Sequence, residues 1–246
     1  MGVGTSAARM GWLLGAVASL TASPVAAQEA SFTPFTLVEV TTDEVLERIG
    51  NDDAVVLTYE RAVHSNFAQV GSSPSLYAKG RAGFGETGAY AIASGQRPNV
   101  GAYAETSWSD AFTILGGEGE GVLTVNVRVD GHFVGTGQPG GPGPNALYAL
   151  FRSDSPVTVS GMLGYLDEGD APPDGSSAVI GLHEAFSGTQ VYTADIHFTY
   201  GKTFYLASYL GAEVLGDGVA DFYGSAHFGA TAPGGASIQG LSGTTY

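Results

Sequence analysis

The chain has 246 residues, no cysteine, and 24 acidic residues against 9 basic ones, for a formal net charge of −15. The missing cysteines exclude a disulfide framework and a lipid-attachment cysteine, so side-chain packing must hold the fold. The acidic surface repels phosphate and therefore excludes nucleic acid and anionic membranes as general partners. Only 13% of the residues are charged and 38 are glycine, which favours short strands and tight turns over helices.

Residues 1–27 have the pattern of an export signal. Arg9 is followed by an apolar stretch at residues 11–20, and the small residues that end at Ala27 suit a signal peptidase. We predict cleavage between Ala27 and Gln28, which leaves one domain over residues 28–246 that is secreted, either extracellular or periplasmic. The apolar stretch is shorter than the roughly 20 residues of a membrane-spanning helix, so we expect no membrane span after cleavage.

One short helix is predicted near residues 42–49. Thr41 precedes acidic residues in the order of a capping box, and Gly50 stands where a helix commonly ends. Elsewhere apolar residues alternate with polar ones, which predicts strands. The predicted strands are residues 35–40, 55–60, 76–80, 90–93, 102–108, 112–115, 122–129, 146–151, 157–163, 178–182, 191–200, 204–214 and 220–228.

This many strands with at most one helix predicts an all-β fold, a two-layer antiparallel sandwich of the jelly-roll-like kind. We assign Trp108 to its core. Segments 135–145 and 167–177 are rich in proline and glycine and are predicted as loops.

Strands 191–200 and 204–214 are predicted to form a hairpin. Each strand has one apolar row, and placing the two rows on the same side requires an odd number of loop residues. A three-residue loop at 201–203 puts Phe198 opposite Leu206 and Tyr200 opposite Phe204. The other face of this hairpin would then be polar and would face water.

The last third of the chain resembles a known family. The order F-x-Y-G-x-x-F-x-L at residues 198–206 is followed by Ala220-Asp221-Phe222, by Pro233-Gly234-Gly235-Ala236 and by Ser-Gly-x-x-Tyr at residues 242–246. These patterns resemble the exported domains of bacterial PEP-CTERM proteins. The resemblance implies an exported β-sandwich and assigns no functional residue. Members normally continue into a Pro-Glu-Pro motif, a hydrophobic helix and a basic sorting tail, and this sequence ends at Tyr246 before those parts.

No catalytic residues are predicted. The chain has no cysteine nucleophile, no G-x-S-x-G elbow and no alternating pair of carboxylates of the kind that glycosidases place on a strand. Glu118 and Glu120 lie in a glycine-rich loop, which holds a catalytic acid poorly.

No metal site or cofactor is predicted either, because the five histidines are not closely paired. Two alternatives remain open. Asp195, His197 and His227 could ligate a metal if their strands met, and the acidic loop at residues 167–174 could bind calcium.

The candidate ligand site is the polar face of the predicted hairpin. Tyr205 and Tyr209 would lie there beside Asp195 and His197, and a flat ring next to hydrogen-bonding groups suits a sugar. The alternative is that both tyrosines pack under a covering loop.

We therefore expect a non-enzymatic exported surface or extracellular-matrix protein whose partner is an extracellular polysaccharide or surface matrix. The alternatives are a secreted polysaccharide-active enzyme, a glycosidase or lyase, and a purely structural surface protein. A groove with two facing carboxylates would favour the enzyme, whereas exposed tyrosines without such a pair would favour binding.

Overall fold

The structure is a computed structural model that describes residues 34–41, 60–61, 65–73, 76–94, 101–135, 143–157, 176–182, 188–244 and 246. Within these ranges the secondary structure consists of strands, and none contains a helix that could cross a membrane. The strands are β1 (Phe35–Thr41), β2 (Glu60–Arg61), β3 (Ser65–Ser73), β4 (Leu76–Gly83), β5 (Glu86–Ala93), β6 (Gly101–Leu115), β7 (Glu120–Val134), β8 (Gly143–Ser153), β9 (Ser176–Leu182), β10 (Gly188–Thr199), β11 (Thr203–Leu215), β12 (Gly218–Thr231) and β13 (Ser237–Gly240).

The strands form two antiparallel sheets that pack face to face. Sheet A has the order β1-β6-β11-β8-β9, and β13 pairs with β6 beyond the end of β1. Sheet B has the order β10-β7-β12-β5-β4-β3-β2. Successive strands alternate between the sheets from β5 to β8 and from β9 to β13, as in a jelly roll. The predicted two-layer antiparallel sandwich is confirmed.

The core lies between the sheets and follows from the period-two pattern of the strands. In β7 the inward row Leu123, Val125, Val127 and Val129 is fully buried, while the residues between them face water. Trp108 in β6 belongs to the same core, as predicted. Each such buried apolar side chain contributes about 1.5–3 kcal/mol of burial free energy.

Glycines allow close approaches both within a sheet and between the two sheets. Within sheet B, a Cβ atom at Gly131 of β7 would lie 2.2 Å from the ring of Phe222 on the neighbouring strand β12. A Cβ atom at Gly80 of β4 would lie 2.6 Å from Thr36 on β1 and 2.8 Å from Thr106 on β6. The high glycine content therefore also serves packing inside the sandwich.

Several predicted boundaries differ from the structure. The two strands predicted at 102–108 and 112–115 form the single strand β6, because the residues between them continue the ladder with β11. β8 begins at Gly143 and β9 at Ser176, inside segments predicted as loops, and β3 and β13 were not predicted. The signal segment 1–27, the helix at 42–49, the acidic loop at 167–174 and most of the strands predicted at 55–60 and 157–163 lie outside the described residues.

The predicted hairpin of strands 191–200 and 204–214 is wrong, and so is its register, because the two strands lie in different sheets. β10 pairs with β7 in sheet B, whereas β11 pairs with β6 and β8 in sheet A. The turn after β10 therefore carries the chain from one sheet to the other. The two apolar rows face each other across the core, where the rings of Phe198 and Phe204 stack with centroids 6.4 Å apart.

Candidate functional site

The four residues predicted as a ligand site lie on opposite sides of the sandwich. Asp195 and His197 are exposed on the outer face of sheet B, because their neighbour Ile196 points into the core. Tyr205 and Tyr209 lie on the outer face of sheet A, because the residues that alternate with them face the interior. The structure does not bring the four side chains together, and the reason is the crossing of the chain between the sheets.

Tyr209 is held in a buried cluster on sheet A. Its side chain is 3% exposed and packs with Phe151 and Val157. Its hydroxyl lies 2.7 Å from that of Tyr103, which donates a 2.9 Å hydrogen bond to Oε2 of Glu105. A hydroxyl has one proton to donate, so Tyr209 donates to Tyr103. Burial is the main cause that raises the pKa of Tyr103 well above its usual value.

The structure does not bring Asp195, His197 and His227 together as metal ligands. His227 on β12 lies opposite Arg128 of β7, and His197 on β10 lies opposite Val122 of the same strand. Six positions along a strand span about 20 Å. In the part of the chain that the structure describes, no three metal-ligating side chains come together.

A different group of side chains comes together on the outer face of sheet B. The tyrosine patch, as we call it, lies on the outer face of sheet B and consists of Tyr77, Lys79 and Arg81 of β4, Tyr90 of β5 and Tyr223 of β12. Strand β4 presents Tyr77, Lys79 and Arg81 outward because small residues alternate with these three and face the core. All five side chains are half-buried.

The rings and cations of the tyrosine patch are in direct contact. The Nζ atom of Lys79 lies 3.9 Å from the ring centroid of Tyr223 and 5.2 Å from that of Tyr90. The guanidinium carbon of Arg81 lies 5.3 Å from the Tyr223 centroid. The rings of Tyr77 and Tyr90 have centroids 6.1 Å apart and are tilted by 59°. The result is a continuous aromatic surface that carries two positive charges.

Tyr223 reaches this surface through a β-bulge. The pairing of β12 with β5 shifts between Phe222 and Ala226, which displaces the backbone at Tyr223. The Nε–H group of Arg81 donates a 2.9 Å hydrogen bond to the displaced carbonyl oxygen of Tyr223. A Cβ atom at Gly88 of β5 would lie 2.0 Å from that oxygen. Only glycine at this position allows the bulge to lie over β5.

Glu86 and Asp221, two carboxylates beside the patch, have structural partners. Glu86 forms a 2.5 Å ion pair with Arg81, and Oδ1 of Asp221 accepts a 3.2 Å hydrogen bond from the backbone N–H of Tyr223. Burial raises the pKa of Tyr90, and the nearby Asp221 carboxylate raises it further. Tyr90 therefore stays a neutral hydrogen-bonding group at physiological pH.

Comparison with known proteins gives weak structural similarity only. No family model matches the chain, and no curated protein matches it. The enzymatically active domain of tailspike protein 4 from bacteriophage CBA120 is similar at 11% identity and a TM-score of 0.29, over 68% of this chain but 19% of that one. TmCBM61, solved in complex with β-1,4-galactotriose, is similar at 10% identity and a TM-score of 0.28, over 83% of this chain and 93% of that one. At these values neither structure assigns a site to this chain.

Proposed function

We propose that the protein is an exported, non-enzymatic surface or matrix component that contacts glycans through the tyrosine patch on sheet B. The observation that carries this proposal is the grouping of Tyr77, Tyr90 and Tyr223 with Lys79 and Arg81 on the outer face of sheet B. The amino-terminal export signal predicted from the sequence supports a location where extracellular polysaccharide is present.

The chemistry of the patch suits sugar rings. A pyranose has an apolar face of C–H groups and an edge of hydroxyls, so it binds an aromatic ring with neighbouring hydrogen-bonding groups. Tyrosine has few rotatable bonds, and half-buried rings on a sheet are already oriented. Little conformational entropy is therefore lost when a ligand binds.

The partners of the nearby acids support a binding role over a glycosidase or lyase. A glycosidase needs two carboxyl groups that flank the scissile bond and are available for proton transfer or attack. Beside the patch, Glu86 is paired with Arg81, and Asp221 fixes the bulge through the backbone of Tyr223. On the other face, Glu105 is 1% exposed and accepts a hydrogen bond from Tyr103.

Alanine substitution of two patch tyrosines tests the proposed surface. We expect the Tyr77→Ala, Tyr90→Ala double variant to bind a polysaccharide panel roughly 5- to 100-fold more weakly than the wild type, from about 0.5–1.5 kcal/mol for each ring. The matched control is Tyr205→Ala, a half-buried tyrosine on the opposite sheet. Calorimetric titration of both variants gives the affinities. An equal loss of affinity in the double variant and in the control would contradict the proposal that the tyrosine patch binds the glycan.

A reducing-end assay on the same panel tests the non-enzymatic part of the proposal. We expect no turnover by the wild type. Release of reducing ends, abolished by substitution of a carboxylate, would establish the polysaccharide-active enzyme instead.

Intact mass of the exported protein tests the predicted processing. We expect a mature chain that begins at Gln28, because the small residues that end at Ala27 follow the apolar stretch. Retention of residues 1–27 in the exported protein would contradict both the signal and the proposed location.

A further inference from the structure

We infer that the ligand of the tyrosine patch is an acidic glycan, whose carboxylate or sulfate group is bound by the ammonium group of Lys79. This inference rests on the proposed glycan contact and specifies the class of ligand.

Lys79 differs from Arg81 and Arg128 of the same sheet, because it has no carboxylate partner among the described residues. Arg81 is paired with Glu86 at 2.5 Å, and Arg128 is paired with Asp130 at 3.0 Å. The ammonium of Lys79 makes cation–π contacts with the rings of Tyr90 and Tyr223, and it has no ion pair or side-chain hydrogen bond with a described residue. Its charge is therefore available to a ligand, and a lysine on a flexible stem can reach an anion without moving the sheet.

The position of Lys79 discriminates against a neutral sugar. Its ammonium lies over the ring of Tyr223 at 3.9 Å, so a sugar that stacks on this ring must displace it. A neutral ligand offers the ammonium only hydroxyl oxygens, and a hydrogen bond to one of these does little more than replace the lost cation–π contact. An anionic ligand binds the ammonium group when that group leaves the ring. A charge-assisted hydrogen bond between two charged groups then replaces a weak cation–π contact.

A chain of this net charge needs a local group of cations to bind an acidic ligand. The formal net charge is −15, so most of the surface repels an acidic polymer. Lys79 and Arg81 lie two positions apart on β4 and place two of the nine basic residues on the same face. The aromatic rings between and beside them supply the stacking surface that a simple anion site lacks.

Pairs of polymers that differ only in charge test the inference. We would titrate the full protein with polygalacturonate and with its fully methyl-esterified form, and with dextran sulfate and unmodified dextran. We expect at least one acidic polymer to bind about 10-fold or more tightly than its neutral counterpart. Preference within the first pair identifies a carboxylate ligand, and preference within the second identifies a sulfate ligand.

Variants of Lys79 provide the second test. We expect Lys79→Gln to weaken binding of the acidic polymer roughly 10- to 100-fold and Lys79→Arg to restore most of it. Lys202→Gln is the matched control, because it removes the same charge from an exposed turn. Thermal unfolding of each variant verifies the fold.

The outcomes separate this inference from the proposed function. Equal affinity for the charged and neutral polymers would overturn the inference that the ligand is acidic, and so would equal effects of Lys79→Gln and Lys202→Gln. In either case, binding that still depends on the patch tyrosines would support the proposed glycan contact. No binding to any polymer would overturn both.

Discussion

The hydroxyl group of Tyr246 donates a 2.7 Å hydrogen bond to Oδ2 of Asp110, a fully buried carboxylate in the middle of β6. The same carboxylate accepts hydrogen bonds from the backbone N–H and the hydroxyl of Ser242, at 3.0 and 2.5 Å, and from the backbone N–H of Ala111 at 2.8 Å. Ser242 and Tyr246 are the first and last residues of the Ser-Gly-x-x-Tyr ending. That ending therefore folds onto one carboxylate.

The Tyr246 ring fills a site among aromatic side chains. Its centroid lies 4.7 Å from that of Phe112, 5.4 Å from that of Phe228 and 6.0 Å from that of Trp108. Phe112 and Trp108 flank Asp110 on the inward row of β6. The closing segment thus contributes both a hydrogen bond and packing to the core.

Removal of the Tyr246 hydroxyl should destabilise the fold measurably. We expect Tyr246→Phe to lower the free energy of unfolding by about 1.5–3 kcal/mol, the usual contribution of a hydrogen bond to a charged group, because the ring can stay in place. Tyr200→Phe is the control, since the Tyr200 hydroxyl makes no hydrogen bond to a described residue. Denaturant unfolding measures both, and equal values would contradict the role assigned to Asp110.

Buried tyrosines should make the protein sensitive to alkali. Burial is the largest cause that raises the pKa values of Tyr148 and Tyr246. Above about pH 10 the unfolded chain loses these protons and the folded chain keeps them, so stability is complete below that pH and declines as the pH rises further.

A titration of unfolding free energy against pH measures this effect. Each tyrosine should contribute a slope of about 1.4 kcal/mol per pH unit above pH 10. The Tyr246→Phe variant should be flatter by one such slope, and an unchanged slope would show that this hydroxyl titrates normally.

The fold class was predictable because it depends on a local property. The alternation in β7, with Val125 and Val127 inward and Asn126 outward, needs only neighbouring residues and is confirmed. The pairing of β10 was not predictable in this way. Apolar rows are buried equally well side by side or face to face, so the pattern around Phe198 and Phe204 does not determine which sheet each strand joins.

The tyrosine patch was only partly visible in the sequence. The outward row Tyr77, Lys79 and Arg81 follows from alternation once β4 is extended to Gly83. Tyr90 joins it through the pairing of β4 with β5, which follow each other in the chain. Tyr223 joins it through the pairing of β5 with β12, which are distant in the chain, and through a bulge that has no local pattern. Long-range pairing thus completes the candidate site.

Tyr205 and Tyr209, which were predicted from the sequence as ligand-binding residues, should differ in their contribution to stability. We expect Tyr209→Ala to lower the free energy of unfolding by about 3–5 kcal/mol, because it empties a buried site and removes the contact with Tyr103. Tyr205→Ala should cost clearly less, because this side chain is half-buried. Denaturant unfolding of the two variants compares them, and similar losses would contradict the burial of Tyr209.

Tyr209→Phe isolates the hydroxyl from the ring. We expect a loss of about 0.5–1.5 kcal/mol, the net contribution of one hydrogen bond. The same variant should leave polysaccharide binding unchanged, because Tyr209 lies on the sheet opposite the tyrosine patch. A change in affinity without a change in stability would indicate that the ligand binds on sheet A and not at the tyrosine patch.

The bulge that carries Tyr223 gives a last prediction, which joins stability to binding. A methyl group at Gly88 would lie 2.0 Å from the carbonyl oxygen of Tyr223 and 2.8 Å from its carbon, and backbone atoms cannot rotate away. We expect Gly88→Ala to lower the free energy of unfolding by about 1–3 kcal/mol, to displace Tyr223 from Arg81, and to weaken polysaccharide binding. Gly224→Ala is the matched control in the same bulge, because a Cβ atom there meets nothing within 4 Å. It should change stability by less than about 0.5 kcal/mol. Equal behaviour of the two variants in denaturant unfolding and in titration would show that Gly88 does not position the tyrosine patch.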